Sequence, residues 1–151
     1  MKTNLSVAAQ RGSSLLEALV AILIFSFGVL ALVALQAVSV KNSIDAKYRS
    51  DASYLANQIV AQMWVDRANL DSYAHYAAGS VCAYSGTASA LASVTGWVSQ
   101  VAALLPGTSA TTTQIQVNTV GGAKRVKVTV CWKVPQETSS HNFSVTAQIN
   151  P

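Results

Sequence analysis

The chain has 151 residues, 51% hydrophobic and only 11% charged, against a usual charged share of about 25%. That length suits one domain and is too short for two comfortable cores, and the low charge demands that an apolar segment be located first. A formal charge of +4 with two cysteines argues against a strongly basic nucleic-acid binder and against a cysteine-rich zinc or disulfide scaffold.

The first dozen residues carry Lys2 and Arg11 and are followed by an apolar run that starts at Leu15 and is interrupted only by Glu17. From Ala18 to Val40 there is no charged residue over 23 positions. At about 1.5 Å per residue, a helix of that length crosses a hydrocarbon core of roughly 30 Å with some tilt. Cations ahead of the run hold residues 1-12 in the cytoplasm and send everything after Val40 outward. The run is too long for a secretory signal, and Lys41-Asn42 follows it where a small-residue cleavage site would stand.

Glu17 lies one turn inside this segment, where an ionised group costs of order 2–3 kcal/mol at full depth. Two readings compete at this point. The carboxylate sits at the headgroup boundary and ionises in water, or it awaits a cation supplied by another subunit.

The stretch Gln10-Arg11-Gly12-Ser13-Ser14-Leu15-Leu16-Glu17, with the apolar run behind it, resembles the processing site of type IV prepilins. The resemblance implies that a prepilin peptidase cuts after Gly12, that Ser13 becomes the N-methylated first residue of the mature chain, and that Glu17 pairs with a subunit's free terminal amine during assembly. Glycine at the cut suits this, because a residue without a side chain lets a membrane-embedded active site approach the backbone closely. A mature chain beginning at Ser13 retains eight basic and six acidic residues, a net of +2. Two positions depart from the major pilins: Ser13 stands where Phe is common, and Ala34 stands where a helix-kinking Pro is frequent. Both point to a minor subunit. No Pro precedes Pro106, so the helix is expected to run straight, with Phe25-Ser26-Phe27-Gly28 as its local weak point.

Beyond Val40 the helical pattern continues. Ile44, Tyr48, Leu55, Ile59 and Met63 recur at spacings of four or seven, with Lys47, Arg49, Asp51 and Asp66 off that stripe. One helix of some fifty residues is predicted, its second half presenting an apolar stripe to a head. Residues 69–87, rich in Ala, Ser, Gly and Tyr and holding His75 and Cys82, show no periodicity and read as a loop.

Leu91, Val94, Val98, Val101 and Leu104 recur at helical spacing before Pro106-Gly107, which predicts a helix from Ala88 to Leu105. The period then changes. Ile115 and Val117 alternate with polar residues, Gly121-Gly122 supply a turn, and Val126, Val128, Val130, Trp132 and Val134 alternate strictly, as a hairpin requires. A third strand follows through Phe143, Val145, Ala147 and Ile149 after a polar loop opened by Pro135. The Val, Trp and Phe face is expected to pack on Ile59 and Met63, with Cys131 on the opposite face.

The fold class is therefore α+β, with the lollipop shape of pilins. A leader occupies 1-12, the membrane half of the helix 13-40, and the amphipathic half and head 41-151. Cys82 and Cys131 fit a single disulfide in an oxidising compartment; two unpaired thiols are the alternative. Trp97 through Leu105-Pro106-Gly107, and Arg125-Val126-Lys127-Val128-Thr129-Val130-Cys131-Trp132, are similar to the tails of PilV-type minor pilins.

No catalytic or phosphate-binding motif is present, and His75 and His141 read as isolated surface imidazoles. Asp45, Asp51, Asp66 and Asp71 lie among Lys and Arg, where exposed ion pairs are the ordinary outcome. No cofactor, metal site or nucleic-acid partner is expected. The resemblance implies a minor pilin of a type IV pilus, acting in a priming or tip complex that supports adhesion and twitching motility. Its partners would be the prepilin peptidase, inner-membrane lipid, the major pilin, other minor pilins and a tip adhesin. Its location would be a single pass through a bacterial inner membrane with the head in the periplasm, then the cell-surface pilus. Two other readings stand beside it: a pseudopilin of a type II secretion system, which shares the processing site and anchor, and a single-span periplasmic enzyme or sensor whose N-terminus stays uncut.

Overall fold

The structure is a computed structural model that describes residues 13–135 and 137–150. Gly12, Lys2 and Arg11 lie outside the described residues. Two compact units divide the chain, one ending at Ser43 and the other starting at Ile44. The architecture is α+β: a long apolar N-terminal helix and a small antiparallel head.

Helix α1 spans Ser13–Val65 without interruption. In the first unit every described residue is exposed, including Leu16, Leu19, Phe25, Phe27 and Leu35. The helix passes the weak spot expected at Gly28, where the Ser26 hydroxyl donates to the Ile22 carbonyl at 2.7 Å and stays satisfied within its own turn. By length and composition this helix can cross a membrane once.

In the second unit α1 changes character. Ala52, Leu55, Ala56, Ile59, Val60 and Met63 are buried at alternating three- and one-residue steps, the stripe that a helix lays against a core. The stripe begins later than the sequence pattern suggests: Tyr48 is half-buried against the cluster, while Ile44 remains exposed. The helix ends where Asp66 leaves helical geometry. Its main-chain and side-chain oxygens accept from Asn69 N–H at 3.1 Å and Asn69 Nδ2 at 2.7 Å, while the Tyr73 hydroxyl donates to the same carboxylate at 3.3 Å.

Residues 69–87 are not the unstructured loop that missing periodicity predicts. A 3₁₀ segment covers Arg67–Tyr73, and β1 (Ala78–Ser80) pairs antiparallel with β2 (Ala83–Ser85). Three-residue strands are too short to show alternation, which is why the pattern was silent. Gly79 makes the close approach possible: its φ is +94°, and a Cβ there would lie 2.6 Å from the Ala83 carbonyl oxygen.

Helix α2 runs Ala92–Leu104, four residues shorter at its start than the periodicity predicts. The cause is Ser89. Its main-chain N–H donates to His75 Nδ1 at 3.2 Å, its hydroxyl donates to the Ser72 carbonyl at 2.6 Å and also accepts from Leu91 N–H, and Leu91 is extended.

Strands β3 (Thr113–Val120), β4 (Ala123–Trp132) and β5 (His141–Ile149) form an antiparallel meander with β4 at the centre. Gly121 and Gly122, at φ +61° and +84°, close the β3–β4 turn. Two consecutive positive φ values are the type I′ requirement, and the Val120↔Ala123 register confirms a two-residue connection. Val126, Val128, Val130 and Trp132 join Leu55, Ile59, Met63, Trp97 and Val101 in one buried cluster. The other side of β4 is covered only at one end, where Thr129 and Cys131 are buried and Arg125 and Lys127 are not. There Cys131 is joined to Cys82 by a disulfide with Cα atoms 5.5 Å apart, and Tyr84 packs beside it.

Candidate functional site

Two regions concentrate chemistry-bearing side chains. The first is the start of α1, where Ser13, Leu16, Glu17, Val20, Ala21 and Ile24 share one side of the helix. These positions step by three, one, three, one and three residues, so they form a single stripe. Glu17 stands one turn from Ser13 on that stripe. It is the sole carboxylate between Ser13 and Val40, and among the described residues it has no ion pair. Apolar exposure surrounds it: Leu15, Leu16 and Leu19 are each about two-thirds exposed. A carboxylate so placed is a ready acceptor for a cation from outside the chain.

The second region is a polar cleft of about 380 Å³ lined by Asp45, Arg49, Trp132, Ser140, His141 and Asn142. Here the expectation that His141 stands isolated in a polar loop is overturned, although its side chain keeps about a third of its surface exposed. His141 opens β5, stacks on Trp132 with ring centroids 5.7 Å apart, and faces carboxylates with both nitrogens: Nδ1 lies 3.8 Å from Asp45 and Nε2 bonds to Glu137. Those partners come from α1, from the loop before β5 and from β4, so no local sequence pattern announces them. His141 is thus held by three elements at once, through its stacking on Trp132 and its contacts with Asp45 and Glu137.

His75 departs further from expectation. It is buried, with Nδ1 accepting from Ser89 N–H and Nε2 donating to the Ala110 carbonyl at 3.3 Å, which fixes the neutral tautomer. Burial pushes its pKa below the ordinary 6.5, and the bond to Ala110 pulls weakly the other way. The ring thus ties the segment before β1 to the segments flanking α2 and β3, a packing role with no access for substrate.

Two of the remaining aspartates form the expected surface pairs, Asp71 with Lys124 at 2.8 Å and Asp51 with Lys47 at 3.5 Å, whereas the Asp66 carboxylate accepts from Asn69 and Tyr73. Among the described residues no group of three or more His, Cys, Asp or Glu is arranged to hold a metal ion. The two cysteines singled out from sequence are brought together. Ser13 and Glu17 lie on one helical stripe, and Gly12 lies outside the described residues.

No family model, curated protein or solved structure matches this chain.

Proposed function

We propose that the chain is a minor pilin, cut after Gly12, N-methylated at Ser13, and built through α1 into the priming or tip complex of a type IV pilus that supports adhesion and twitching motility. The observation that carries this reading is the first unit of α1, an apolar helix exposed along its length and bearing one carboxylate a turn from Ser13. Exposed apolar surface of that extent needs lipid or other helices around it. A lone carboxylate within it needs a cation, and the terminal amine released by cleavage is a cation of the right size at the right depth.

In this reading the uncut chain sits in a bacterial inner membrane with its head in the periplasm. The peptidase exposes the Ser13 amine on the cytoplasmic side. The helix then leaves lipid for a bundle of like helices, where Glu17 of one subunit pairs with the amine of a neighbour, a major or another minor pilin. Breaking such a pair inside a bundle would cost about 3–5 kcal/mol, because it strands a charge out of water. The Cys82–Cys131 disulfide is compatible with an oxidising periplasm.

The test is mass analysis of the mature terminus of chain recovered from membranes. A chain starting at methylated Ser13 supports the assignment; a chain retaining residues 1-12 overturns it and favours an uncut single-span protein. Glu17→Ala should leave cleavage largely intact while lowering recovery in sheared filaments. A bulky residue at Gly12 should block cleavage.

A further inference from the structure

The three-stranded sheet has two edges that are treated differently. Along the first half of β3 the edge is occupied: His75 and Ile115 exchange both main-chain hydrogen bonds, at 3.0 and 2.9 Å, and the amides of Gln114 and Gln116 donate to the carbonyls of Tyr76, Ala78 and Ala77. Along β5 the opposite holds. Among the described residues its main-chain-to-main-chain hydrogen bonds go to β4 alone.

The nine residues His141–Ile149 include no Pro, Lys, Arg, Asp or Glu, and their register with β4 runs without a bulge from Trp132↔His141 to Lys124↔Ile149. Natural edge strands are usually blunted by one of those devices. A nine-residue edge without Lys, Arg, Asp or Glu is a template for another strand. Phe143, Val145 and Ala147, on the core side, are only half-buried, so an added strand would complete their cover.

We propose that this edge pairs with the same edge of a second copy of the chain, the two β5 strands running antiparallel about Val145. That register sets Val145 against Val145, Phe143 against Ala147, Ser144 against Thr146 and Asn142 against Gln148. Large thus meets small twice, and polar meets polar on the outer face, the arrangement that cross-strand pairs favour. No charge opposes a like charge. The nearest cations, Arg125 and Lys127 on β4, lie three strand spacings from their mates, roughly 14 Å, which is beyond the Debye length of about 8 Å. A head-to-tail sheet would have to lay a strand over the start of β3, where His75 already bridges Ile115, so like-with-like pairing of β5 is favoured and closes at two copies about a two-fold axis. The pairing depends on the sheet alone and stands whether or not the chain builds a filament.

Disulfide mapping on full-length chain in detergent tests it at two exposed sites. In the proposed pair residue 142 of one copy faces residue 148 of the other, while like positions are roughly 20 Å apart. A mixture of Asn142→Cys and Gln148→Cys chains, mildly oxidised, should therefore give several-fold more covalent dimer than either variant alone, and adding Thr146→Lys to both should remove that excess. Equal dimer in all samples, which marks random helix contact in the micelle, overturns the pairing. So does no dimer in the mixture, or capture of Gln148→Cys in membranes by a different protein, which would assign the edge to a foreign strand.

Discussion

Trp97 donates its indole N–H to the main-chain carbonyl of Leu55 at 2.8 Å, tying α2 to the buried stripe of α1. Trp132 is equally buried, yet its Nε1 has no hydrogen-bond partner among the described residues. The two rings lose the same atoms on mutation to Phe, so they separate packing from hydrogen bonding. Trp97→Phe removes a hydrogen bond to the Leu55 carbonyl, which keeps its bond within α1, whereas Trp132→Phe removes a donor that was never satisfied. Trp97→Phe should cost more than Trp132→Phe by about 1–3 kcal/mol. Denaturant unfolding of both variants of the full chain in detergent measures the difference.

The disulfide between Cys82 and Cys131 closes a loop with a sequence separation of 49, for which the chain-entropy relation gives about 4 kcal/mol. Mass measurement without reductant should find the chain two hydrogens lighter than the reduced form. Replacing both cysteines by Ser should lower stability by a large part of that figure. Two free thiols in the native protein would contradict the structure.

His75 predicts a pH dependence of definite sign. Its pKa is lowered in the folded state, so between that value and about 6.5 the unfolded chain binds the proton and the folded chain does not. The contribution is fully favourable above 6.5 and falls as pH drops towards the folded value, because protonation removes the acceptor for Ser89 N–H. Subtracting unfolding curves of His75→Gln from those of the native chain should leave a difference that varies across this window and is flat above it.

Gly96 lies exposed inside α2 with open space where a Cβ would stand. Gly96→Ala should therefore stabilise the head by about 0.5–1 kcal/mol, through helix propensity alone. A loss of stability in denaturant unfolding would mean that the exposed face of α2 is covered by something else in the assembled protein.

The parts of this fold that repeat were legible in the residues. Val126, Val128 and Val130 announce a half-buried strand by period two, Gly121-Gly122 announce the turn, and Leu55, Ile59 and Met63 announce the buried helix face, because each signal lies within one element. Glu17 was legible for another reason: one carboxylate in an apolar run is conspicuous without any partner in view. What escaped was held by single bonds across long separations. Ser89 reaches back to Ser72 and His75, and His75 reaches forward to Ala110, so neither the delayed start of α2 nor the burial of His75 leaves a periodic trace. His141 escaped likewise, since Asp45 and Trp132 become its neighbours only when α1 and β4 meet β5.

The order of strands in the meander bears on how the chain reaches its native state. β3, β4 and β5 are neighbours in both sequence and space, joined by a two-residue turn and one short loop, so their pairing needs little loop closure and should form early. Cys82 meets Cys131 only across a much longer separation, after β4 is in place. Oxidation is then a late lock on a topology already reached, and a chain refolded with its thiols reduced should recover the same strand order at nearly the same rate, losing durability but not direction.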